Sequence, residues 1–358
     1  MITKQSNNII PVIHRLVTDE YGENYWFNGC AKYVMECLGE KDYDYWFFAG
    51  ITGDVFTQHY AYMKSFWDAI DGYRFQENPK QFVKDIFAKC GYAATYISKQ
   101  EIEENTEMYV QTLVAYIDKG IPVISWEGPC GVFVGYEEYG KILLFIAGNK
   151  NQPERIPLDQ ALQNQENFNS GWIFVGEKKE SRPLAQIYRE AISEIPQHMS
   201  VKTDTYCFGP EAFRAWARDI ENGKFDDMKP GDFDTWFHHT NYVCVLATNG
   251  SCRRFLEKAQ ELNPDLTFLD DIRNQYRITG LLWNGNYGPN DTFAVEYAKT
   301  HEADVANNLE ALGGGFNITL ANLQNKEKRA KIAATIRKCA DCMDEVVRII
   351  QHNLSRTV

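Results

Sequence analysis

In the first half of the chain, apolar residues recur in two rhythms. Cys30, Val34, Cys37 and Leu38 fall at i, i+4, i+7 and i+8, the stripe of an amphipathic helix over 29–38. Asn28 stands before it as a good N-cap and Gly39 after it as a stop. QFVKDIFAKCGY (81–92) carries Phe82, Ile86 and Phe87, and MYVQTLVAYIDKG (108–120) carries Leu113 and Ile117; both predict helices that end at a glycine. The rhythm then shortens. IPVISW (121–126) is brief and β-branched. GVFVGYEEYGKILLFIAG (131–148) reads as two strands about the turn Glu138-Tyr139-Gly140, and GWIFVGEK (171–178) as another strand, with a short helix at 158–162 between them. Helices followed by an antiparallel meander predict an α+β domain over 1–178.

Beyond the polar joint EKKESRP (177–183) the helical rhythm is nearly unbroken. Leu184, Ile187, Tyr188, Ala191, Ile192 and Ile195 form one stripe, and Phe213, Trp216 and Ile220 another. SCRRFLEKAQEL (251–262), with Ser251 as cap, predicts a third helix, and Leu269, Ile272, Tyr276 and Trp283 mark a fourth. Ile332, Ile336, Cys339, Met343, Val346 and Ile350 alternate at spacings of 4 and 3 and predict a long last helix over 327–352. The C-terminal part, 179–358, is therefore expected to be mainly α-helical.

Composition narrows the partners. The chain has 358 residues and a net charge of -12, a poor match for a phosphate backbone or an anionic membrane surface. No apolar run approaches the roughly 18 residues of a membrane-spanning helix, and the N-terminus shows no secretion signal. Nine cysteines without a framework spacing fit reduced thiols in a cytoplasm. Of the 49 aromatic residues, 17 lie between residues 21 and 75, as a core cluster or as the wall of a ligand cleft around Cys30.

A cysteine in the first turn of a helix sits among free N–H groups and the positive end of the helix dipole, which favour a thiolate. Cys30 therefore reads as a candidate nucleophile, or as a core thiol on the face of Val34 and Leu38. Asn24, six residues upstream, is placed to complete an oxyanion hole with the Cys30 amide. Other groups carry less. Cys339-Ala-Asp-Cys342 lies on an apolar helical stripe and reads as core rather than as a metal or redox site. His238-His239 lacks a third ligand, and Gly313-Gly314-Gly315 lacks the context of a phosphate loop.

NGCAKYVMECLGEKDYDYWFFAGITGDVF resembles the start of the butirosin-biosynthesis acyltransferase family. That family has a Cys opening a helix and then a G-x-x-G-x-x-F segment, here Gly50, Gly53 and Phe56. Its N-terminal domain is similar to papain-like cysteine peptidases, including bacteriocin-leader peptidases. GIPVISW (120–126) and PCGVFVGYEE (129–138) resemble the strand and hairpin that follow, and GPEAFRAWARDI with the segment from Asn249 to Trp283 resembles the helical C-terminal region.

The resemblance implies a papain-like cysteine-peptidase-type domain over 1–178 and a helical domain over 179–358. It implies a cysteine-centred acyltransferase or amide hydrolase acting on a small aminoacyl or peptidyl group, free or carrier-linked, with Cys30 and Asn24 at its centre. Trp26, Asn28, Gly53, Asp54 and Trp126 would line the ligand. Where the active peptidases carry a His at the head of the hairpin, this chain has Pro129 and Cys130; Asn149 stands at the place of the third member. The candidates for base or supporting group are then His59, Glu127, Cys130 and Asn149. The other reading is a non-catalytic protein that binds a small molecule in the same aromatic cleft. Neither reading calls for a metal or other cofactor, and the oligomeric state is not readable from the sequence.

Overall fold

The most apolar runs of the chain become the middle of a sheet. In a computed structural model, which describes residues 5–18, 22–23, 25–62, 70–126, 130–163, 170–234 and 252–354, nine strands form. They are β1 (Asn8–Ile9), β2 (His59–Ala61), β3 (Tyr92–Ser98), β4 (Val123–Trp126), β5 (Gly131–Glu137), β6 (Ile142–Ala147), β7 (Glu154–Pro157), β8 (Gly171–Lys178) and β9 (Tyr206–Phe208). One antiparallel sheet has the order β3-β8-β4-β5-β6-β7, with β1 also on β5. By contact the chain divides into two units, Met1–Thr52 with Asp71–Ile187, and Gly53–Ile70 with Tyr188–Val358. The main joint thus lies nine residues beyond the expected 178, and Gly53–Ile70, expected in the first domain, clusters with the second.

In the first unit both faces of the sheet are covered, which is why β5 is buried along almost its whole length. Strand alternation sends Val123, Phe133, Leu143, Trp172 and Phe174 to one face. There they form a core with Ile102 of α5 (Lys99–Glu104) and Val110, Leu113 and Ile117 of α6 (Thr106–Asp118). The opposite face packs against α1 (Trp26–Cys37) and α4 (Pro79–Lys89): Phe27 of α1 and Phe82 of α4 both meet the Trp126 ring. The result is helix, sheet, helix in three layers. α2 (Tyr45–Thr52) is apolar all round and buried all round. Two short helices, α3 (Ile70–Glu77) and α7 (Leu158–Gln163), complete the described helices up to β8.

Local signals start and stop these elements. Asn78 caps α4 by accepting from the Gln81 amide, with Pro79 at the first helical position. Ser98 and Glu101 close a capping box on α5. Glu138 and Tyr139 both take positive φ, 49° and 60°, at the tip of the β5–β6 hairpin, and the Tyr139 amide donates to Ser6 O at 2.8 Å, which ties down β1.

The second unit is helical around a two-stranded ribbon of β2 and β9. α8 (Leu184–Met199) and α9 (Gly209–Glu221) appear where their stripes predict them. The last helix, Lys326–Leu354, buries Ile332, Ile336, Cys339, Met343, Val346 and Ile350, and it packs on α9 and on the helix Leu269–Asn284. Arg337 pairs with Glu221 along one of these contacts, and Trp216 faces Trp283 with ring centres 6.0 Å apart. Ser251, the expected cap of the helix Arg253–Leu262, lies outside the described residues.

Candidate functional site

α1 starts at Trp26, three residues before the expected position. The reason is packing. The stripe that faces the sheet begins with Phe27 and continues through Cys30, Ala31 and Val34, and its first ring already meets Trp126. Tyr25 is the N-cap, with extended backbone and no side-chain cap; its amide donates instead to the Tyr45 hydroxyl at 2.9 Å. Asn28 is consequently not the cap. It is a fully buried residue of the first turn, and its Oδ1 accepts from Thr52 Oγ1 at 3.4 Å.

Cys30 is then the fifth helical residue. Its amide lies beyond the four that a helix leaves free, and the dipole's effect fades over the same turn. The side chain is 0% exposed. Among the described residues the thiol makes no hydrogen bond, so no His, Asp or Glu is joined to it.

The sheet supplies the facing wall. Ser125 pairs with Gly131, and Gly131 with Ala147, so the end of β4, the start of β5 and the end of β6 share one edge. Cys130 immediately precedes β5 there and Asn149 follows β6, with Trp126 closing β4. Alternation puts Cys130 on the same face as Trp126, the face that α1 covers. Cys130 is buried, and its S–H donates to Ser125 O at 3.4 Å. Asn149 is exposed.

This edge is tied to α1 by three close approaches. The Gly148 carbonyl accepts from the amides of Leu16 and Val17, at 3.1 and 3.3 Å. A Cβ on Gly29 would lie 2.5 Å from Leu16 O and 2.7 Å from Val17 Cγ1. A Cβ on Gly148, whose φ is +54°, would lie 2.8 Å from the Trp26 ring. Glycine at 29 and at 148 therefore lets the segment at Leu16–Val17 and the Trp26 ring seat directly on backbone.

The aromatic residues around Trp126 pack on one another. Phe75 stacks on it at 3.7 Å, Phe27 tilts against it at 5.0 Å and Phe82 meets it edge-on at 6.0 Å. Trp26 and Trp126 stay half-buried, while Phe27, Phe75 and Phe82 are buried.

No protein-family model matches this chain, and no curated protein matches it.

The remaining expected residues fall elsewhere. Asn24, Glu127 and His238-His239 lie outside the described residues. His59, Gly53 and Asp54 cluster with the second unit. His59 opens β2, pairs in register with Phe208 of β9 and is fully buried. Gly53 has φ +93°, and a Cβ there would lie 2.9 Å from His198 Nδ1. From Asp54 to His59 every polar side chain is at most 1% exposed: Asp54, Thr57, Gln58 and His59. Gln58 Nε2 donates to Phe56 O at 3.0 Å, while Gln58 Oε1 and Thr57 Oγ1 make no hydrogen bond among the described residues. Thr57, Gln58 and His198 were not singled out by the sequence. The signal for the first two was the polar run interleaved with Val55, Phe56 and Tyr60, which marks polar groups drawn into a core.

Cys339 and Cys342 are buried cysteines of the last helix outside any disulfide, and among the described residues no group of His, Cys, Asp and Glu is arranged to hold a metal ion. None of the described helices is long and apolar enough to cross a membrane.

Proposed function

We propose that the first unit is a papain-like domain that binds a small molecule without covalent catalysis. Its likeness to the butirosin-biosynthesis acyltransferase family supports the architecture. So does a cysteine-bearing helix laid on an antiparallel sheet, with Cys130 and Asn149 at the hairpin positions of the second and third members. The observation that carries the reading is the state of Cys30. It is fully buried, one turn inside its helix, and among the described residues no base is hydrogen-bonded to it. A nucleophilic thiol needs a group to take its proton and return it. Where the resemblance would put that group the chain has Pro129 and Cys130, and the Cys130 S–H is turned to a backbone carbonyl.

The binding surface in this reading is the pair of half-buried indoles at the sheet edge, Trp26 over Gly148 and Trp126 at the end of β4. One strand separates β4 from β6, so the two anchor points are roughly 10 Å apart at a strand spacing of about 4.8 Å. That span suits a small aminoacyl or peptidyl group held between aromatic faces.

The test is alkylation of the folded protein with iodoacetamide from about pH 6 to about pH 9.5, bracketing the free thiol value of about 8.5, with sites located by peptide mass spectrometry. Cys30 should remain unmodified until the protein is unfolded. Modification of Cys30 in the folded protein near neutral pH would overturn the reading and restore Cys30 as a nucleophile. In parallel, quenching of tryptophan fluorescence by N-acetyl amino-acid amides should persist in Cys30→Ser and be lost in Trp26→Ala and Trp126→Ala.

A further inference from the structure

The second unit contains a cavity of about 780 Å³ that none of the chemistry above uses. It lies between the end of α8, the start of α9 and the last turns of the helix Lys326–Leu354. Its volume is within the range of about 300–1,000 Å³ typical of small-molecule sites.

The lining determines what it accepts. Met199, Pro196, Pro210, Val347 and Ile350 give it apolar walls, and the two prolines bring no amide N–H. The hydroxyls present are already engaged: Ser193 Oγ donates to Glu190 O at 2.6 Å and Ser200 Oγ to Gln197 O at 2.8 Å. The charges are engaged as well. Lys202 meets Glu211 at 3.3 Å, and Arg214 is paired with Asp344 and reaches Asp341 at 3.4 Å. The lining therefore carries two cations and two anions, each with an opposite partner, and no net charge.

These pairs lie partly in solvent, and each charge already has its partner, so a charged ligand finds no unmatched charge and gains little from them. An uncharged one covers apolar wall and leaves both pairs intact. We propose that this cavity is a binding site for an uncharged, largely apolar small molecule. The proposal uses only residues of the second unit and stands independently of the reading at Cys30.

The probe is Nile red, an uncharged dye whose emission rises and shifts to the blue in apolar surroundings. With the full chain it should bind saturably at one site and slow hydrogen exchange in 193–200, 209–214 and 344–354. Val347→Trp, which projects an indole into the space, should weaken binding at least about tenfold, and Ser193→Phe on the opposite wall should do the same. Circular dichroism identifies a variant that fails to fold, and the exchange pattern of the parent protein then decides alone. The proposal is overturned if binding does not saturate, if protection falls elsewhere, if folded variants bind like the parent, or if the anionic dye anilinonaphthalene sulfonate displaces Nile red at lower concentration.

Discussion

Gly29→Ala tests how tightly the Cys30 helix is seated. In a helix, alanine is favoured over glycine by about 1 kcal/mol. Here the new methyl would meet Leu16 O at 2.5 Å, Val17 Cγ1 at 2.7 Å and Leu16 C at 2.9 Å. Two of these atoms are backbone, so neither a rotamer change nor a small side-chain shift relieves the contact. Overpacking of this kind costs about 1–3 kcal/mol. Moving the segment away stretches the bonds from the Leu16 and Val17 amides to Gly148 O, each worth about 1 kcal/mol. Set against the gain in propensity, the net loss should be about 2 kcal/mol. Gly280, inside the helix Leu269–Asn284, has nothing within 4 Å of its Cβ position. There the same substitution should stabilise by about 0.5–1 kcal/mol. Urea unfolding of the two variants and the parent, followed by circular dichroism, reads both signs. A neutral or stabilising Gly29→Ala would refute the close approach of the Leu16–Val17 segment to α1.

Two further outcomes concern buried and capping groups. Thr57 Oγ1 is buried without a hydrogen-bond partner among the described residues, so Thr57→Val, which keeps the shape, should raise stability by about 1 kcal/mol; a lower melting temperature would mean that the hydroxyl is bonded in solution. Glu101 is held below the ordinary carboxylate range first by Lys80 at 2.8 Å and then by the Ser98 amide at 2.9 Å, with burial opposing. A depressed folded value means that its stabilisation is complete above the unfolded value of about 4.3 and disappears as pH falls through the folded one. The urea-midpoint gap between the parent and Glu101→Ala should therefore be open at neutral pH and close in acid; a gap that does not change with pH would contradict this.

The sequence discloses elements whose burial is one-sided and periodic. The last helix is legible because Ile332 to Ile350 form one uninterrupted stripe, and β5 and β6 because their apolar runs flank a polar turn. β3 is not, since YAATYIS at a sheet edge exposes Ala93 and Thr95 and so lacks an apolar face of its own. β2 and β9 are three residues each, too short for a period, and exist by pairing with each other. The order β3-β8-β4 joins segments far apart in the chain, which no local pattern encodes. At the site, the stripe through Cys30, Val34 and Leu38 carried the information that Cys30 is buried. Asn28 misled as a cap because the stripe was read from Cys30 onward, without Phe27. That Cys130 turns its thiol to Ser125 O depends on a strand register, and it becomes visible only once β4 and β5 are paired.

The assignment of Gly53–Ile70 to the second unit has a consequence in time. The chain passes from one unit to the other after Thr52, after Ile70 and after Ile187. β2 emerges from a ribosome about 145 residues ahead of its partner β9, a wait on the order of ten seconds at ordinary rates of synthesis. During that interval the polar run from Asp54 to His59 has no core to enter, and both edges of β2 are open. The first unit can close its sheet once β8 has been made, while β2 still waits for β9. Synthesis order thus sets the earliest moment of each contact: β2 can pair only after β9 has been made, and the helix Lys326–Leu354 can pack on α9 only later still.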